Sequence, residues 1–173
     1  MALAAEAELW DAYCDRLSGG EIHGEVLGAL RDALTATVRG MGDEWLRRFL
    51  ATRGLIARTP ALGERSDAAS VATRRRIAQV LADALGLDDR DLRVQLLGEF
   101  ALAAWRCAAR DWVRGDKRAA GPGKVSGLVR EIDAAFDAVP AAVALSAGDR
   151  RRPSVGPMTT DGSPAGPDHR VLS

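Results

Sequence analysis

The chain has 173 residues, of which 24 are basic and 24 acidic, with 47% hydrophobic and 5% aromatic residues. That length suits one domain able to bury a real core without staples. Zero net charge excludes the basic footprint expected of autonomous nucleic-acid binding or of attachment to an anionic membrane.

Helix-period patterns run almost from end to end, and nothing alternates with period two long enough to make a strand, so the expected fold is all-α. The first helix, about residues 2–17, lines up Leu3, Ala7, Trp10, Cys14 and Leu17 before SGG ends it. The second, about 22–39, carries Val26, Leu27, Leu30, Leu34 and Val38 and stops at GMG. Asp43 can then cap a third helix holding Trp45, Leu46, Phe49 and Leu50, with Arg47 and Arg48 turned outward, until RTP breaks it. Thr59 before Pro60 pairs a capping hydroxyl with proline at the first helical position, opening a long helix that runs to about Leu85. Gly63 marks a place where it can be interrupted, and Gly86 supplies its stop.

The stretch DLRVQLLGEFALAAWRCAARDWVRGD, residues 91–116, follows an acid-rich start that the helix dipole favours. Leu92, Leu96, Phe100, Ala103 and Cys107 form one line on it, while Leu97, Ala101, Ala104, Trp105, Ala108 and Trp112 spread around the rest. A surface helix normally has one apolar stripe, so this one needs cover from two sides: its own core, and a second surface supplied by another copy. A last helix, about 124–139, has the cleanest stripe: Val125, Leu128, Val129, Ile132, Ala135, Phe136 and Val139. From Ser146 onward Pro, Gly, Ser and Asp dominate, so residues 146–173 read as a disordered tail behind a domain of residues 1–145.

The N-terminus MALAAEAELW lacks a basic region, which argues against a signal peptide, and Glu99 and Arg106 interrupt the best membrane-span candidate. Cys14 and Cys107 lie far apart with no metal-type spacing and read as reduced, buried thiols of a cytoplasmic protein. His23 starts a helix and His169 lies in the tail, neither with an acid or nucleophile at motif spacing. No catalytic array, phosphate loop or metal motif is visible, so no enzyme, metal or cofactor is expected.

Residues 79–97 have the small, turn-glycine and apolar positions of a helix-turn-helix at Ala82, Gly86 and Leu92. Asp88, Asp89 and Asp91 would meet phosphates there, which is wrong for a groove-reading helix, and an ordinary helix-to-helix turn is expected. The runs Arg74–Arg76 and Arg150–Arg152 read as a solvated face and a solubilising tail. Gln95, Glu99, Arg106 and Arg110 make a polar strip. Glu99 in it is a candidate to orient a ligand, against the plainer reading that it pairs with an arginine elsewhere in the bundle. Trp10, Tyr13, Trp45 and Phe49 gather much of the aromatic content and could line an apolar pocket, with plain core packing equally open.

The order of elements, with LIARTPALGER (55–65) before a long helix and then LADALGLDDRDLRVQLLGEFALAAWRCAARDWVRGD, resembles the C-terminal domain of TetR-family transcriptional regulators, in particular the members that include the mycofactocin-system regulator. The resemblance covers about residues 1–143. It implies a helical bundle that binds a small ligand and forms a homodimer through its last two helices, packed as a four-helix bundle across a two-fold axis. It places the pocket at Trp10, Tyr13, Leu30, Leu34, Ile77, Leu81 and Phe100, and the interface at Trp105, Trp112, Leu128, Ile132 and Phe136. Members of the family carry a DNA-binding head that ends just before a helix like the first one here. DNA contact is therefore expected only through a domain absent from this sequence.

Two functions follow as expectations. The first is the ligand-sensing and dimerisation domain of a transcriptional regulator or repressor with a hydrophobic small-molecule effector. The second is a headless partner that heterodimerises with full-length regulators without touching DNA.

Overall fold

The computed structural model describes residues 4–56, 60–115 and 124–145, with side chains described outside 54–69, 115 and 124. Among them are six helices and no strand: α1 (Ala4–Gly19), α2 (Val26–Gly40), α3 (Gly42–Ile56), α4 (Pro60–Leu85), α5 (Leu92–Gly115) and α6 (Lys124–Val143). The expected order of elements holds, with shifts at several ends. Helix α2 begins at Val26 rather than near residue 22, and α4 is continuous through Gly63. Helix α3 starts at Gly42, so Asp43 sits inside its first turn, where its charge faces the positive end of the dipole, and is not the cap. The expected cap Thr59 and the tail from Ser146 lie outside the described residues.

Helix α6 runs past residue 139 with Pro140 inside it. Proline removes its own N–H from the ladder but keeps its carbonyl, and Ala144 N–H donates to Pro140 O at 3.1 Å, so the last turn still closes. Between α4 and α5 the chain reverses at Gly86, whose φ of 64° is left-handed backbone that a β-carbon would strain. Asp91 then caps α5, its carboxylate accepting the Arg93 N–H at 2.9 Å. Arg93 also pairs with that carboxylate and holds the Asp91 carboxyl down at about 2.

Helix α5 is the spine of the bundle, lying mainly on α6 and α4, while α6 also packs on α2 and α1 spans α2, α4 and α3. At Gly98 the α4 and α5 backbones come so close that a β-carbon there would stand 3.2 Å from Arg74 O. One continuous core runs through all of this. It includes Leu9, Tyr13 and Cys14 of α1, Leu30 and Leu34 of α2, Trp45 and Phe49 of α3, Ile77 and Leu81 of α4, Val94 and Trp105 of α5, and Leu128 and Ile132 of α6. Burying each large apolar side chain is worth about 1.5–3 kcal/mol, so this cluster is the principal source of the fold's stability.

Every acid of α1 is ion-paired to an arginine of α3 or α4: Glu6 to Arg53, Glu8 to Arg48, and Asp11 and Asp15 to Arg76. The Glu8 and Arg76 pairs are exposed and contribute only about 0–1 kcal/mol apiece, so they set the position of α1 more than they hold it down, whereas the Glu6–Arg53 pair is largely buried. No helix of the described residues is long and apolar enough to cross a membrane.

Candidate functional site

Five aromatic rings from three helices meet at the centre of the bundle. Trp10 meets Tyr13 edge-on at 5.6 Å and Trp105 at 6.0 Å; Phe49 lies 5.4 Å from Trp105 and stacks on Trp45 at 5.2 Å. Three of them have hydrogen-bonded polar ends, as burial favours. Tyr13 Oη donates to Leu30 O at 3.3 Å, Trp45 Nε1 to Ala5 O at 2.7 Å, and Trp105 Nε1 to Glu6 Oε1 at 3.0 Å. Burial pushes the Tyr13 hydroxyl well above its ordinary pKa and the Cys14 thiol up to about 11, so both stay protonated at neutral pH.

The tertiary structure thus brings together Trp10, Tyr13, Trp45 and Phe49, four of the residues expected to line a pocket, and buries Leu30, Leu34, Ile77 and Leu81 in the same core. It does not bring Glu99 or Phe100 there. Glu99 lies on the other flank, paired with Arg74 at 2.6 Å, as the plainer reading of it held. The pair lines a polar cleft of about 760 Å³ between α4 and α5, together with Arg75, Gln79, Arg90 and Gln95. Phe100 is half-buried and faces α6. In place of those two the aromatic cluster has Trp105, with Glu6 and Arg53 at its rim.

Glu6 and Arg53 are additions that the linear reading missed. Glu6 Oε1 also accepts from Arg53 Nη2 at 3.3 Å, and the Arg53 guanidinium lies 5.2 Å above the Phe49 ring. One signal for Glu6 is present in the sequence: it falls three, four and seven positions before Leu9, Trp10 and Tyr13, a carboxylate on the buried stripe of α1. Nothing local marks Arg53, which meets Glu6 only through the fold.

The second feature is a groove of about 580 Å³ along α5 and α6. Phe100, Ala103, Cys107 and Asp111 line it from α5, and Glu131, Ala134, Ala138 and Ala142 from α6, at spacings that put each set on one helical face. The charged residues of its described lining are Asp111 and Glu131. Of the two apolar sets on α5, the line from Leu92 to Cys107 opens into it or extends it: Ala103 and Cys107 are exposed, and Leu92 and Leu96 are 72% and 52% exposed. Cys107 is therefore exposed and not buried as expected, because it lies on the open groove side of α5.

The five residues expected at an interface are buried within the single chain and do not line this groove. Trp105, Trp112, Leu128, Ile132 and Phe136 are all 6% exposed or less within a single chain, because the large side chains of α5 and α6 pack against each other and the other helices. They support the α5–α6 pair from inside and leave the alanine-rich side outward. Among the described residues no group of histidine, cysteine, aspartate and glutamate side chains could hold a metal ion.

Residues 24–144 of the sequence match the model of a family described as the MftR C-terminal domain. Comparisons with curated proteins and with solved structures find no match.

Proposed function

The chain belongs to the family of MftR C-terminal domains, the C-terminal regulatory domains of TetR-type transcriptional regulators, and from that premise we propose that it is a homodimeric sensor of a hydrophobic small molecule. The observation that carries the reading is the bare apolar side of α5 and α6. A face lined by Phe100, Ala103, Ala134 and Ala138, with Leu92 and Leu96 beyond it, is costly to leave in water. Its occupant must offer a surface of the same shape and character. A second copy related by a two-fold axis does so, since an isologous contact presents each patch to itself. Small residues let the helices approach closely, and two α5–α6 pairs meeting there make a four-helix bundle.

The aromatic cluster supports the sensing half of the reading. It is apolar, it draws on α1, α3 and α5 at once, and it has a charged pair at its rim, which is the composition of a small-molecule site. A ligand entering there must move those helices apart from one another, which gives it a mechanical effect on α1. The test is sedimentation velocity over about 1–100 μM, the range in which typical self-association is resolved. A two-fold species that dissociates on dilution supports the proposal. A monomer throughout removes it.

A further inference from the structure

Among the described residues one buried side-chain polar atom has no hydrogen-bond partner, Nε of Arg53. We propose that Arg53 anchors a carboxylate, so that the molecule sensed is an apolar monocarboxylic acid; this rests on the ligand-sensing reading above.

A guanidinium presents five donors in a fixed fork and matches a carboxylate through two of them at once. Arg53 uses little of that capacity among the described residues. Its acid partner is Glu6, reached from Nη2 at 3.3 Å on the oxygen that Trp105 Nε1 already engages more closely at 3.0 Å. The Nε–H is buried and unbonded. A buried donor left in that state costs free energy, and in native proteins a water or a ligand usually meets it.

The surroundings define what such a ligand must be. The guanidinium lies 5.2 Å above Phe49, and Phe49 is 5.4 Å from Trp105, so the charge stands at the rim of an apolar wall. An apolar acid suits both parts: its carboxylate takes the buried, unbonded edge of Arg53, and its chain enters the closed cluster, where Phe49 and Trp105 are no more than 1% exposed, by parting α1, α3 and α5. A neutral apolar molecule would leave Nε unbonded. A phosphate monoester would bring nearly two negative charges beside the Glu6 carboxylate, and a monocarboxylate brings one. Glu6 is accordingly a competitor for Arg53, and the incoming acid displaces it while Trp105 still holds it. This makes Arg53 a specificity residue and makes Glu6 the group that tunes affinity.

The experiment is calorimetric titration of the full chain with octanoate and with octan-1-ol, which share a tail and differ in the head. Octanoate should bind the parent protein about tenfold more tightly or better, as a charge-assisted pair implies. Arg53→Gln should abolish that difference. Glu6→Gln, which keeps an acceptor for Trp105 and removes the competing charge, should tighten octanoate about threefold or more and leave octan-1-ol unchanged. This gain also serves as the test if Arg53→Gln fails to fold. Equal binding of the two probes, or octanoate affinity unchanged in both variants, overturns the anchor and leaves the sensor reading standing. Binding of neither probe removes the anchor and the apolar-sensor reading together.

Discussion

Ala138 lies on the outward side of α6, exposed in the single chain and lining the groove with Phe100 and Ala103 of α5. Changing it to glutamate should therefore leave the protomer intact, since exposed helical positions tolerate such changes within about 0.5 kcal/mol. In a two-fold dimer the same carboxylate is buried against an apolar partner surface. Among the described residues the charged groups lining that groove are Asp111 and Glu131, both acids, so it gains no counter-ion from them. An unpaired buried charge costs several kcal/mol, and about 3 kcal/mol is a conservative figure for a partly wet interface. Symmetry places the change twice, giving about 6 kcal/mol, or roughly a 10⁴-fold weaker dimer. A dissociation constant of about 1 μM would move to about 10 mM, leaving monomer at any practical concentration. Sedimentation velocity reads this directly, with thermal melting of dilute protein as the check on folding. Burial favours the protonated acid, so lowering the pH toward 5 should restore part of the dimer. Ala138→Glu sedimenting as the parent dimer, with the same concentration dependence, would refute the assignment of this face.

The same geometry sets four further outcomes. Cys107 is exposed and Cys14 is not, so iodoacetamide should modify Cys107 first; its rate should fall as protein concentration rises through the dimer's dissociation constant, and equal rates for the two thiols would contradict the burial. The Cys14 pKa is raised from its ordinary 9.0 to about 11, mainly by burial, so the folded state holds its proton more tightly than the unfolded chain does. Its contribution is fully present below about pH 9 and is lost as pH climbs toward about 11, a decline that urea titrations should show in the parent and find flattened in Cys14→Ala. Trp105→Phe keeps an aromatic ring but removes the N–H donated to Glu6 and leaves a cavity at a fully buried position; melting should fall by about 4–8 °C, the equivalent of roughly 2 kcal/mol for a domain of this size. Gly98→Val forces apart backbones already separated by only one β-carbon's clearance and should cost about 1–3 kcal/mol, where an unchanged melting temperature would show that α4 can slide away freely.

Much of the architecture was legible because helices are written in local terms. Periodicity placed α1 to α6 in order, Gly86 and Pro60 punctuated them, and the acids before α5 marked its start. Capping was less legible: Asp43 and Asp91 look alike in sequence, and only Asp91 precedes the first helical residue. The pairing of Glu99 with Arg74 could be named as a type of contact and not as a partner, since the two meet across separate helices.

The excess of apolar residues around α5 was itself a sequence property, and it gave the expectation that this helix is covered from two sides. Which residues face which cover was decided by the tertiary structure. The line from Leu92 to Cys107 is as apolar in sequence as the line through Ala101, Trp105 and Trp112, yet the first is open and the second closed. The interior is close-packed, so the space among six helices is filled by the large rings of Trp105, Trp112 and Phe136, and the alanines are left outside where two helices can later come near. The rim of the aromatic cluster has the same origin: Glu6, Arg53 and Trp105 stand far apart along the chain, and only the packing of α1, α3 and α5 makes them neighbours.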